Sequence, residues 1–127
     1  MAKEMIVPPG VMKARGFSHA VKAGNTIYVA GQTATDEEGN IMFKGDVVAQ
    51  TARAYENIKR TLEAAGAKMT DIVMMNVYCR DLDGFVRTGE ARKQYFGKHF
   101  PAATVVKIER LLLPDALIEI EAIAVVD

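Results

Sequence analysis

The chain has 127 residues, 50% of them hydrophobic, and its 16 basic and 16 acidic side chains balance to a formal net charge of zero. That is enough apolar material for one packed domain over residues 1–127, and it excludes a disordered chain and a basic nucleic-acid-binding surface. Its single cysteine, Cys79, excludes an intrachain disulfide and suits a reducing compartment. With no apolar run long enough for a signal peptide or a membrane span, the expectation is a soluble cytoplasmic protein.

Residues 1–16, with Pro8-Pro9-Gly10 and Gly16, read as an irregular lead-in. Phe17–Lys22 and Thr26–Thr33 are β-rich runs around the turn residues Ala23-Gly24-Asn25, so a hairpin is expected. Gly31 inside the second run marks either a bulge with a close backbone approach or a packing glycine. Residues 36–40 form a loop, and Ile41-Met42-Phe43 a short strand. A helix starts at Asp46 as N-cap and stops at Gly66. Its apolar stripe is Val48, Ala52, Tyr55, Ile58, Leu62 and Ala65. Asp71–Cys79 is nearly continuous in apolar residues and reads as a central strand. Asp81 or Asp83 caps a second helix over 84–96, ending at Gly97. Pro101 forces an extended entry into the next strand, and Leu111–Ala116 is the loop before the last one.

Ile118–Val125 is that last strand. Ile118, Ile120, Ala122 and Ala124 share one face; Glu119, Glu121, Ile123 and Val125 share the other. A carboxylate flanked by β-branched residues is either partly desolvated, with a pKa raised toward acid–base use, or solvated on a half-exposed sheet. Spacing alone leaves both readings open. The element order predicts an α+β arrangement, with two helices on one face of a mixed sheet. The other face is too apolar to be left to solvent, so self-association is expected.

Other chemistries lack their motifs. The glycines are too scattered for a phosphate loop, and His19, His99 and Cys79 follow no metal-ligand spacing. Cys79 is either a thiol activated by Arg80 or a small buried hydrophobe, and His19 either a functional or a hydrogen-bonded structural residue.

Phe100-Pro101-Ala102 followed by a strand, and the terminal Ile118-Glu119-Ile120-Glu121-Ala122-Ile123-Ala124-Val125, resemble the Rid family of reactive intermediate deaminases, the YjgF-like proteins. The likeness extends through Phe17–Val21, Gly24–Gln32, the helix with Glu63-Ala64-Ala65-Gly66, and Arg80-Asp81-Leu82. The resemblance implies a homotrimer with a chorismate-mutase-like (YjgF-like) fold and ligand clefts between subunits. It implies a small imine or enamine as ligand, and no cofactor, because a carbon–nitrogen double bond is already electrophilic. By the same resemblance, Glu119, the first of the pair, positions or activates water as the catalytic residue, and Phe17, Gly31, Ala103, Thr104 and Val105 line the cleft; the strand pattern alone leaves both Glu119 and Glu121 open as the carboxylate that faces it. Phe17 stands at a tyrosine position, Gly89 at an asparagine position and Val105 at a cysteine position. Ala103 stands where deaminating members carry the arginine that forks onto a substrate carboxylate.

That departure leaves three readings. The substrate is less anionic, another cation such as Arg92, Lys107 or Arg110 replaces the arginine, or the protein is a non-catalytic ligand-binding or regulatory trimer. A ribonuclease needs a basic groove with stacking aromatics, which a neutral chain without Trp does not offer.

Overall fold

The computed structural model describes residues 2–127. Six strands form one mixed sheet in the order β1-β2-β3-β6-β4-β5. They are β1 (Lys3–Ile6), β2 (Ala20–Ala23), β3 (Thr26–Gln32), β4 (Ile72–Cys79), β5 (Ala102–Lys107) and β6 (Ile118–Val125). Among the described residues, only β4 and β5 pair in parallel. The helix α1 (Val47–Ala64) lies on one face. It is joined there by α2 (Leu82–Phe85) and α3 (Gly89–Phe96). This is the expected α+β architecture.

The alternation in β6 operates as predicted. Ile118, Ile120, Ala122 and Ala124 are buried, and the residues between them are not. They pack with Ile27, Val29, Met75 and Val77 beneath Tyr55, Ile58 and Leu62 of α1. Burying each large α1 side chain contributes about 1.5–3 kcal/mol. The opposite face has no helix, and it leaves Tyr28, Val73, Met74 and Val125 exposed.

Local signals set the ends of α1. The Asp46 carboxylate accepts from the Ala49 N–H at 3.0 Å, and Gly66 takes φ +83° just past the helix. Its buried face is more polar than the apolar stripe predicted. Val48 and Ala52 are only partly buried, whereas Gln50, Thr51, Asn57 and Thr61 are fully buried. These polar groups tie down loops. Gln50 donates to the carbonyls of Phe43 (3.2 Å) and Asp115 (3.1 Å) and accepts from the Leu117 N–H (2.8 Å). The Asn57 amide donates to the carbonyls of Thr33 and Thr35, each at 3.0 Å. The Gln50 amide is met on both its donor and acceptor sides, whereas Asn57 has its donors met and its Oδ1 without a partner among the described residues.

Four predicted boundaries change. Within the lead-in, Lys3–Ile6 is a strand, because β2 offers it an open edge and pairs all four residues. The next strand starts at Ala20 rather than Phe17. Ile41–Phe43 is not a strand, and only one bridge, Thr35 to Ile41, forms there. The second helix is broken by a 3-10 turn at Val86–Thr88, so α2 and α3 are separate pieces. Asp81, not Asp83, caps α2, accepting from the Gly84 N–H at 2.8 Å.

Candidate active site

β3 and β6 slip by one residue between Val29 and Gln32, so a bulge sits where Gly31 lies. The Glu119 side chain occupies the space above it. A Cβ built on Gly31 falls 2.6 Å from Glu119 Oε1, 2.7 Å from Cδ and 2.8 Å from Cγ. Of the two readings of Gly31, the close approach is the one realised. Only a residue without Cβ leaves room for that carboxylate.

The same carboxylate lines a cavity of about 320 Å³ whose walls include Met12, Phe17, Gln32, Leu112 and Leu113. Burial in this mostly apolar setting pushes the Glu119 pKa above its ordinary 4.5, and the neighbouring Glu121 charge adds to the rise. Glu121 points from the same face but is engaged elsewhere. Its Oε1 accepts from the Tyr78 hydroxyl at 2.7 Å and the Asn76 amide at 3.2 Å. Glu121 lines a neighbouring hollow with Tyr28 and Met74. The two carboxylates that the sequence left equivalent are therefore distinct: one makes no hydrogen bond to a side chain among the described residues and faces the cavity, the other is held.

This geometry fixes a titration result. Glu119 is expected to titrate above its ordinary 4.5, and Glu121→Gln to move the midpoint down by removing a like charge. The midpoint does not return fully to 4.5, because burial is the larger cause. Carboxyl NMR across pH measures both values; a midpoint unmoved by Glu121→Gln would show the two charges to be uncoupled.

The remaining candidates divide. Phe17 joins Gly31 and Glu119 at the cavity. Ala103, Thr104 and Val105 do not. They lie on β5, separated from β6 by β4, roughly 10 Å away by strand spacing. By register, only Thr104 shares the face of Asn76 and Glu121; Ala103 and Val105 pair with Met75 and Val77, which face the helices. All of β5 is exposed.

None of the three cations weighed as replacements lines the cavity of its own chain. Arg92 donates to Thr88 Oγ1 at 2.7 Å and stacks over Phe85. Arg110 donates to the Leu111 and Leu112 carbonyls, and Lys107 is on β5. Gly89 opens α3. Cys79 is the buried hydrophobe of its two readings. Burial is the main cause that raises its pKa, and Arg80 turns away to the Pro114 carbonyl. A further hollow of about 330 Å³ is lined by Glu56, Lys59, Glu63 and Tyr95, and its Glu56 carboxylate is engaged, since Tyr95 and Arg60 both donate to it. Among the described residues, no helix is long and apolar enough to cross a membrane.

Sequence reasoning gave no cleft role to Met12, Gln32, Leu112 or Leu113. The apolar run Leu111–Leu113 just before a strand carrying two glutamates was the available signal.

The family model described as Endoribonuclease L-PSP matches residues 10–126. The chain is 46% identical over 125 residues to a RutC family protein of Pyrococcus abyssi, covering 98% of each. It is 35% identical to the 2-iminobutanoate/2-iminopropanoate deaminase of Dermatophagoides farinae, over 87% of this chain and 86% of that one. It is also 35% identical to the 3-aminoacrylate deaminase RutC of Acinetobacter baylyi, over 98% of each. The crystal structure of the YjgF gene product of E. coli superposes with a TM-score of 0.88 at 35% identity, covering 98% of this chain and 99% of that one.

Proposed function

Because the chain belongs to the endoribonuclease L-PSP family, the YjgF, RutC or Rid proteins, we propose that its Glu119 cleft binds a small imine or enamine and hydrolyses it to a carbonyl compound and ammonia. One observation carries this reading: an unbonded carboxylate with a raised pKa, laid on Gly31 inside an apolar cavity. Such a group suits proton transfer near neutral pH better than an exposed glutamate does.

The chemistry needs only water and that group. Glu119 takes a proton from water, and the hydroxide oxygen bonds to the C=N carbon as the π electrons move to nitrogen. Protonated Glu119 returns the proton to nitrogen, giving a carbinolamine. Glu119 then takes the carbinolamine hydroxyl proton and passes it to nitrogen, so that the C–N bond breaks, the oxygen lone pair forms the carbonyl and ammonia leaves. An enamine first takes a proton from water on carbon and gives up one from nitrogen, becoming the imine with no net change in protons. No cofactor enters this scheme.

The proposal includes a homotrimer in the cytoplasm, in which a neighbouring copy completes the cleft. Ala103, Thr104 and Val105 sit on an exposed edge strand two places from Glu119, so they reach a Glu119 cavity only from another chain. The exposed Tyr28, Val73 and Met74 on the helix-free face supply apolar area for that contact.

Ala103 favours a second reading, a trimer that binds a metabolite without turnover. Ammonia release decides between them. Imines are generated in situ by an amino-acid oxidase from neutral and acidic amino acids, with semicarbazide as competitor, for wild type and Ala103→Arg. Wild type is expected to accelerate ammonia release. The added guanidinium is expected to raise turnover of carboxylate-bearing imines about 10- to 100-fold, the equivalent of about 1.5–3 kcal/mol for a charge-assisted hydrogen bond. Silence of wild type on every imine, with a 2-oxo acid still bound, would leave the binding reading.

A further inference from the structure

Behind the cavity wall lies a buried histidine that the hydrolytic scheme does not use. His19 is 3% exposed, and both ring nitrogens are engaged. Nε2 lies 2.7 Å from the Met12 carbonyl and Nδ1 lies 3.0 Å from the Gln32 side-chain nitrogen. A carbonyl only accepts, so Nε2 carries the proton; the amide N–H donates, so Nδ1 is bare. The Gln32 amide also donates to the Ala30 carbonyl at 3.2 Å, which fixes its orientation. The backbone repeats the link, since the Ala30 N–H donates to the His19 carbonyl at 2.8 Å. The Phe17 ring meets the imidazole edge-on, centroids 5.3 Å apart.

Every partner in this chain is a cavity wall: Met12, Phe17, Ala30 and Gln32. Two of them, Ala30 and Gln32, flank Gly31, the platform on which Glu119 rests. The imidazole has no nitrogen left for a substrate, so it is not a base. We propose that His19 is the positioning residue of the cleft. As a neutral imidazole of fixed tautomer, it holds the Met12 segment on one side and the Gly31 bulge on the other, and so sets where Glu119 stands against the ligand. This inference rests on the hydrolytic reading for its kinetic test.

The test compares three variants. His19→Phe keeps the ring's bulk and loses both hydrogen bonds. His19→Asn can still accept from Gln32, and His19→Gln can still donate to Met12. His19→Phe is expected to stay folded and to lose about 100-fold in kcat/KM, the scale of an ångström-sized misplacement. His19→Asn is expected to recover kcat, through the Gln32 and Gly31 side, and His19→Gln to recover KM, through the Met12 wall. Wild-type kcat and KM in His19→Phe, or parallel loss of activity and melting temperature in all three, would overturn the inference.

Where wild type turns over no imine, the hydrolytic reading has failed and binding of 2-oxobutanoate takes the place of turnover. A Kd weakened about tenfold in His19→Phe supports positioning, and an unchanged Kd overturns it. Where nothing binds either, the 13C methyl resonance of Met12 decides. It moves in His19→Phe if the histidine holds that wall and stays put if it does not.

Discussion

Glu119→Gln is expected to lower imine or enamine hydrolysis by about 10²- to 10⁴-fold, the usual contribution of one positioned general base. The amide keeps the size of the side chain and its place above Gly31, but it cannot take the proton from water. The fold should not suffer. Burial and the Glu121 charge both disfavour ionised Glu119, which is why its pKa is raised. The sign of the linkage follows. The folded state holds this proton more tightly than the unfolded state, so stability falls as pH rises from the ordinary 4.5 through the raised value. Gln carries no such charge. At neutral pH the variant should therefore melt no lower than wild type, and its melting temperature should lose part of the wild-type dependence on pH. Retained turnover in Glu119→Gln would remove Glu119 from the mechanism. A lowered melting temperature would instead show that the carboxylate has a stabilising partner.

Gly31→Ala should nearly match that loss without touching a titratable group. The new methyl would stand 2.6–2.8 Å from three atoms of the Glu119 side chain. Atoms do not pack at that distance, so the carboxylate must swing away. Gly31 is not among the residues with positive φ, so Ala fits its backbone. The strain falls on the side chain of Glu119, which is only partly buried and can move toward the cavity. We expect roughly a 100-fold fall in kcat, with a change in stability within about 1 kcal/mol. A double-mutant cycle makes the point sharper. In a Glu119→Gln background, Gly31→Ala should cost almost nothing further, because both changes remove the same positioned base. Full additivity would mean that Gly31 serves something other than Glu119.

Much of this protein follows from local pattern. The period-two alternation of Ile118–Val125 assigns every residue of β6 to its face, because a strand has no other way to direct its side chains. Asp46 and Gly66 mark the ends of α1 because they meet backbone needs that arise there, whatever packs nearby. The family likeness in Phe100–Ala102 and Ile118–Val125 pointed to the α+β fold and to deaminase relatives.

Other features depend on which strand lies beside which, and no local pattern encodes that. Lys3–Ile6 is a strand only because β2 has a free edge. Gln50 and Asn57 sit in the buried face of α1 only because distant carbonyls meet them there. Alternation put Glu119 and Glu121 on one face and could not separate them. Tyr78 and Asn76, brought alongside by the pairing of β4 with β6, bind Glu121 and leave Glu119 to the cavity. The same pairing order puts β4 between Glu119 and the Ala103–Val105 segment. A side chain's direction is a property of its own strand; its neighbours, and therefore its charge state and its chemistry, belong to the tertiary fold.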